Sequence, residues 1–291
     1  MKRCYVRKKL YLCKMKIGTQ NVCRNINKKL ITMKKLFINF IALAALTAGL
    51  MSCNNKSGQY RVVVESMDEQ SMLWGQSEAM ASWDNTLMAT EMTLTEVAED
   101  GTASLQLPED LNTDGTRCFV HPAAAYAGEG MVCIPTVQNG VDCKQTVPYY
   151  AEIVEGSDAL AFVSVCGVLR LHLTTPEKIA SISVSTDDSL GCMSGLFVVE
   201  NYPDVKLGVD EVVGTVNSVR CEKLPDIDFS QGGDVYFCVA PGSFKTFNVT
   251  MTTADGRVCV KHQKEDMVID VNRNQTTTVT MGSPEHDLVF E

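Results

Sequence analysis

Beyond residue 53 this sequence is short of basic side chains. Of its 26 lysines and arginines, 12 precede Cys53, while all 35 acidic residues follow it. Segment 53–291 thus holds 14 basic against 35 acidic residues, a formal charge of −21 that the −9 of the whole chain conceals. That balance argues against nucleic acid as a partner, because phosphate must be neutralised by Lys and Arg, and it suits a solvated domain at a polyanionic cell surface. Histidine is also scarce. His121, His172, His262 and His286 lie in separate segments, and none belongs to an HExxH, GxSxG or other pattern with chemical spacing. No CxxC or Cys/His grouping has the spacing of a zinc site, so neither metal nor cofactor is expected, and nothing points to an enzyme. The glycines of "GDVYF" and "APGSF" punctuate turns with no helix after them to cradle a phosphate. Asp187-Asp188, beside Ser189, reads as a solvated turn, with cation coordination as the alternative.

A long hydrophobic run is missing as well. The most apolar stretch, Leu36 to Leu50, has fifteen residues, whereas a membrane-spanning helix needs about 20. Preceded by Met33-Lys34-Lys35 and closed by the small Ser52 after a looser-fitting Met51, it has the three parts of an export signal. It ends on Cys53, and "NNKSGQ" after it is abruptly polar. Leu50-Met51-Ser52-Cys53 resembles the bacterial lipobox, in which the cysteine thiol accepts a diacylglycerol before cleavage. Residues 33–52 are therefore read as a lipoprotein signal peptide, with Cys53 as the lipidation site. Residues 1–32, basic and without an acid, read as an upstream extension of a start at Met33; the alternative is a basic arm that binds nucleic acid.

Eight cysteines remain after Cys53: Cys118, Cys133, Cys143, Cys166, Cys192, Cys221, Cys238 and Cys259. An even count in an exported chain is compatible with disulfides. Five of them sit inside apolar runs such as "FVSVCGVL" and "VYFCVA", where cysteine behaves as a small buried hydrophobe. Mostly free, buried thiols are expected.

No long stretch of helical period competes with the β pattern. Short apolar or alternating runs, separated by Gly, Pro, Asn and Asp, predict strands near 60–66, 87–97, 102–108, 117–123, 130–137, 159–174, 179–186, 194–200, 234–240, 247–253, 257–263 and 275–281. In "FNVTMTTADGRVCVKHQ", Phe247, Val249 and Met251 alternate with polar residues, and Asp255-Gly256 supplies a hairpin turn. Leu169, Leu171 and Leu173 alternate with Arg170 and His172, while the first half of that run must be buried more completely. Many short strands at such spacing mean a sandwich. "VPYYAEIVEGSD" reads as a connection, which places a boundary near Gly156-Ser157 and divides the chain into 53–156 and 157–291.

Several of these runs resemble a known family. "AFVSVCGVLRLHL", with its Phe, Cys-Gly and alternating leucines, is similar to the opening of the C-terminal domain of fimbrillin-like proteins. "KIASISVST", "MSGLFVV", "VYFCVAPGSFKTFNVTMTTADG" and "MVIDVNRNQTTTVTM" continue the likeness, most specifically at Pro241-Gly242-Ser243-Phe244 and Arg273-Asn274. "ASWDN", "DGTASLQLP" and "RCFVHPAAAY" carry it more faintly into the N-terminal half. The resemblance implies an all-β chain of two transthyretin-like β-sandwiches in tandem after a lipoprotein signal peptide. It implies a type V pilus subunit with a role in adhesion, lipid-anchored at the outer membrane and then carried to the cell surface and fimbrium. Other pilus subunits would be its partners by protease-triggered strand exchange, together with a host or bacterial surface ligand. Arg61 is the one basic residue between Lys56 and Arg117, and so the candidate cleavage position, or else the polar position of a first strand. Leu288, Val289 and Phe290 are the apolar content of a candidate donor strand. The alternative is a monomeric outer-membrane lipoprotein that binds glycans on Trp74, Trp83, Tyr149 and Tyr150.

Overall fold

Alternation turns into strand along the whole of the folded chain, and among the described residues there is no α-helix. The computed structural model describes residues 58–65, 74–75, 78–84, 86–98, 102–108, 116–141, 143, 146–188, 191–208, 214–224, 226–263, 267–282 and 288–291. Segments 1–32 and 33–52, and Cys53, lie outside them.

The first strands are β1 (Gln59–Val64), β2 (Ala79–Trp83), β3 (Thr90–Thr93), β4 (Glu96–Val97), β5 (Ala103–Gln106), β6 (Cys118–His121), β7 (Tyr126–Gly128), β8 (Met131–Ile134), β9 (Tyr149–Glu152) and β10 (Ala159–Ser164). They are followed by β11 (Gly167–Leu173), β12 (Ile179–Ser185), β13 (Gly195–Glu200), β14 (Lys206–Gly208), β15 (Ser218–Cys221) and β16 (Gly233–Val239). Last come β17 (Gly242–Phe244), β18 (Asn248–Thr253), β19 (Val258–His262), β20 (Ile269–Val271) and β21 (Thr276–Met281).

Eight strands form one sheet in the order β3-β2-β6-β9-β10-β1-β5-β4. Its β2 is buried on both faces: Met80 enters one apolar core with Phe119, Leu105 and Phe162, whereas Ala81 and Trp83 enter another with Val120 and Tyr150. The sheet β14-β13-β8-β7 supplies Ile134 and Phe197 to the first of these cores and Val132 to the second. A third core lies between the sheets β16-β11-β21 and β15-β12-β18-β19. There Leu169, Leu171 and Leu173 are fully buried and Arg170 and His172 are not. The expected hairpin is present as β18 and β19, with Met251 opposite Cys259 and Gly256 at φ 89° in the turn.

The expected strand 159–174 is two strands in different sheets. Ser164 makes the break: its hydroxyl donates to the Cys166 carbonyl (2.9 Å) and accepts from the Cys166 N–H (3.3 Å), turning the chain. The chain passes from the first core to the third between Val168 and Leu169. Tyr149–Glu152, read from sequence as connection, is a strand between β6 and β10. The run near 130–137 ends at Ile134, and the residues after Pro135 take a separate path. They run as a strap along two sheet edges, where Gln138 N–H donates to the Arg220 carbonyl (2.8 Å) and Tyr236 N–H to the Gly140 carbonyl (2.8 Å). The Gln138 side chain pairs with both backbone groups of Cys238, each at 2.8 Å. These bonds cover the outer edges of β15 and β16, which would otherwise present unpaired backbone to solvent.

Candidate functional site

β1 is the site that the sequence points to. It lies inside the eight-stranded sheet, parallel to β10 (Arg61 beside Ala159, Val64 beside Phe162) and antiparallel to β5 (Tyr60 beside Leu105). Period-two alternation sends Val62 into the first core, 2 % exposed, and leaves Arg61 on the solvent side. Both ends are tied down. Leu107 N–H donates to the Gly58 carbonyl (2.9 Å), and Glu65 N–H donates to the Phe162 carbonyl (2.8 Å).

Just past β1, Glu65 accepts from Arg273 (2.6 Å), whose guanidinium also donates to the Ser164 carbonyl (3.1 Å). Both side chains are largely buried, at 11 % and 19 % exposure. This ion pair joins the first strand to the turn before the last, 208 residues apart in sequence. Sequence reasoning marked Arg273 only as part of a family likeness and missed Glu65; no local pattern announces a partner at that separation.

The candidate donor residues lie on their own chain. Val258 and Glu291 exchange N–H···O bonds of 2.9 and 3.0 Å, so 288–291 runs antiparallel along the free edge of β19. Leu288 and Phe290 pack against the third core and Val289, 63 % exposed, faces out.

The aromatic platform is not at the surface. Trp74, Trp83, Tyr149 and Tyr150 are each at most 5 % exposed, because their rings fill the cores on either side of the large sheet. Trp74 meets His121 and Phe162 edge-on at 4.9 and 5.4 Å, and Trp83 packs on Tyr126 at 4.6 Å. Burial raises the Tyr149 and Tyr150 phenols, and Tyr150 donates to Glu152 (2.7 Å). A glycan-stacking surface cannot be built from these four rings.

The remaining polar groups serve the fold. Asp188 accepts from the backbone N–H of Lys245 (2.8 Å), which holds its carboxyl below the usual range and ties the turn to the segment ahead of β18. A cleft of about 340 Å³ opens beside it, lined by Cys192, Phe197, Pro241 and Lys245 among others. Ser189 lies outside the described residues, as does His286. His172 is capped by Asp234 (2.8 Å), which also takes Arg170 (2.7 Å). Among the described residues, no group of three or more His, Cys, Asp or Glu is placed to hold a metal.

His121 is a buried group with a measurable consequence. Its Nε2 stands 3.3 Å from Glu78 Oε2, but burial lowers the imidazole to about 4 and raises the Glu78 carboxyl, so desolvation works against the charged form of each. An imidazole at about 4 when folded and 6.5 when unfolded takes up its proton first in the unfolded chain. Stability is therefore whole above pH 6.5 and falls as the pH drops towards 4, by up to about 3 kcal/mol. Glu78, shifted the other way, offsets part of this. Urea midpoints at pH 7 and 4.5 should converge in His121→Gln relative to the unsubstituted protein, and the offset should vanish in Glu78→Gln. Equal pH slopes in all three would contradict the assignment.

No family model and no curated relative matches the sequence. Solved structures do match in fold. A candidate cell adhesion protein from Bacteroides ovatus ATCC 8483 aligns with a TM-score of 0.50 and 11 % identity, over 81 % of this chain and 96 % of that one. A second, from Bacteroides uniformis ATCC 8492, gives 0.45 and 12 %, over 82 % and 98 %. The tip fimbrial protein Mfa3 from Porphyromonas gingivalis gives 0.30 and 13 %, over 70 % and 81 %. At such identities the likeness is one of fold, and in fold this chain is an all-β protein similar to the Bacteroides ovatus cell adhesion candidate, as its fimbrillin-like resemblance implies.

Proposed function

We propose that the chain is the precursor of a type V pilus subunit: a surface lipoprotein, anchored through Cys53, that assembles by exchanging strands with other subunits and serves adhesion. The carrying observation is the place of β1. It is the first described strand and the nearest in sequence to the proposed anchor, yet it lies between β10 and β5 in the interior of a sheet. Once cut after Arg61, with Gln59–Arg61 leaving and Val62–Val64 peeling away, it would leave β10 and β5 without their shared partner and Leu105, Leu160 and Phe162 without its cover, a groove fitted to an extended segment from another subunit. Leu288, Val289 and Phe290 are the proposed donor, and 288–291 already adopts an extended, edge-pairing form with alternate side chains inward.

The same reading places the protein at the outer membrane and then in the fimbrium, with other subunits and a surface ligand as partners and without catalytic chemistry. A diacyl anchor is adequate physically, because each buried CH₂ contributes about 0.8 kcal/mol and two chains make attachment durable. Two sandwiches, 53–156 and 157–291 in the order of the sequence, are part of the proposal, although β10 and β13 cross residue 156 to pair with β1, β9 and β8, so the two would fold together and not apart.

Arg61 is the proposed cleavage position, and its setting makes cutting conditional. Its backbone is in a ladder, with the N–H donating to the Asp158 carbonyl (2.9 Å), so a protease must wait for β1 to open. An Arg-specific protease should cut the intact precursor slowly, release the anchored segment and yield oligomers. Arg61→Ala should abolish both effects, and Cys53→Ala should lose the outer-membrane fraction. Identical digestion of precursor and Arg61→Ala would remove Arg61 from the mechanism. Detergent-requiring membrane association of Cys53→Ala would remove the anchor.

A further inference from the structure

Three of the eight described cysteines meet where the strap, the β10–β11 bend and β16 come together. Cys143, Cys166 and Cys238 are 2 %, 0 % and 0 % exposed and belong to one apolar core. The Cys238 thiol donates to the Cys143 carbonyl (3.7 Å), and the neighbouring thiols of Cys143 and Cys166 add to burial in raising it. Cys143 is itself held, since its carbonyl accepts from the N–H of Thr146 and Val147 at 2.9 and 2.8 Å.

We propose that Cys143 and Cys238 are a disulfide site that fastens the strap to β16 during folding under oxidising conditions, with Cys166 left as the free third thiol. Register selects the pair. Cys238 stands opposite Val168, and Cys166, one residue ahead of the ladder that begins at Gly167, lies diagonally from it. Diagonal neighbours in a ladder are about 7 Å apart, beyond the roughly 4 Å between Cβ atoms that a disulfide accepts. Cys143 lies on irregular chain and is free of that constraint. The strap register is already fixed at this point by Gln138, which pairs with the backbone of Cys238 itself.

The chemistry is thiol–disulfide exchange with a small disulfide such as oxidised glutathione. One cysteine attacks as thiolate, forming a mixed disulfide and expelling one glutathione; the second displaces the other glutathione. Two reduced glutathiones leave carrying the two protons, and one S–S bond is gained for one consumed. The reaction belongs to the folding phase, because full burial raises the Cys238 thiol far above its ordinary value and suppresses the attacking thiolate once the core has closed.

The experiment uses the full chain, unfolded and reduced, then refolded in a buffer of reduced and oxidised glutathione, alkylated and mapped by mass spectrometry of its peptides. A Cys143–Cys238 linked peptide is expected, retained in Cys166→Ser and absent from Cys143→Ser. The linked protein should unfold at a higher urea midpoint than the same protein reduced. Alkylation of both Cys143 and Cys238 after refolding, or a Cys166–Cys238 link in the unsubstituted chain, would overturn the proposal. So would equal midpoints, a measurement that needs no variant to fold. The refolding is done without export, so its result is independent of the lipoprotein reading.

Discussion

Gly167→Ala should lower stability by about 3 kcal/mol, or roughly 10 °C in Tm. Gly167 opens β11 in the Cys-Gly step of the family likeness, and a methyl group there would fall on the Asn272 carbonyl and 2.5 Å from Val271 Cγ1. The obstacle is mainly backbone, and that backbone is pinned. Asn274 N–H donates to the Cys166 carbonyl and Val168 N–H to the Gln275 carbonyl, both at 2.9 Å. Arg273, between them, holds Glu65. Relief of the clash must therefore pull the turn off β11, break the ladder or strain the ion pair. Gly256→Ala is the control. That position has open space around it but φ 89°, so only the conformational term of about 1 kcal/mol should appear. Urea unfolding of the two variants separates the effects, and a Gly167→Ala loss no larger than that of Gly256→Ala would mean that the turn is free to move.

The same corner shows what the sequence can and cannot disclose. Strands with one wet face were legible from alternation alone, as with Phe247, Val249 and Met251, all at most 3 % exposed. The break inside 159–174 was not, because the change from continuous to alternating pattern shows only at Leu169 and both pieces remain apolar across Ser164. It is set by one hydroxyl folding back on Cys166. Tyr149–Glu152 was hidden for the opposite reason: flanked by Pro148 and two acids, it resembles a connection, and only its neighbours β6 and β10 make it a strand. At the candidate site, Arg61 could be found as the isolated cation of its region. The meeting of Glu65 with Arg273, and of Cys143 with Cys238, depends on chain closure over long separations that local pattern does not encode.

Expressed apart, 57–156 and 157–291 should each fail to fold, and co-expressed they should recombine. The cut lies in a turn, at Gly156 with φ 77°, and severs no strand, yet it separates elements that complete one another. β10 belongs by sequence to the second piece but pairs with β1 and β9 of the first, from Arg61 opposite Ala159 to Ser164 opposite Tyr149. β13, likewise in the second piece, pairs with β8 in the first. Conversely the strap, part of the first piece, covers β15 and β16 in the second. Fragment 157–291 alone would expose Leu160, Phe162 and Phe197, while 57–156 would lose their cover over Phe119, Leu105 and Ile134. Each large apolar side chain left in water forfeits about 1.5–3 kcal/mol, so a handful consumes the 5–15 kcal/mol that a domain ordinarily has. Unpaired β8 and β10 edges add an incentive to aggregate. The check is a urea titration followed by far-ultraviolet circular dichroism on each fragment and on the co-purified pair. A cooperative transition in 157–291 alone would show the second sandwich to be autonomous, and the borrowed strap to be ornament rather than structure; a cooperative transition in the pair only is the expected result.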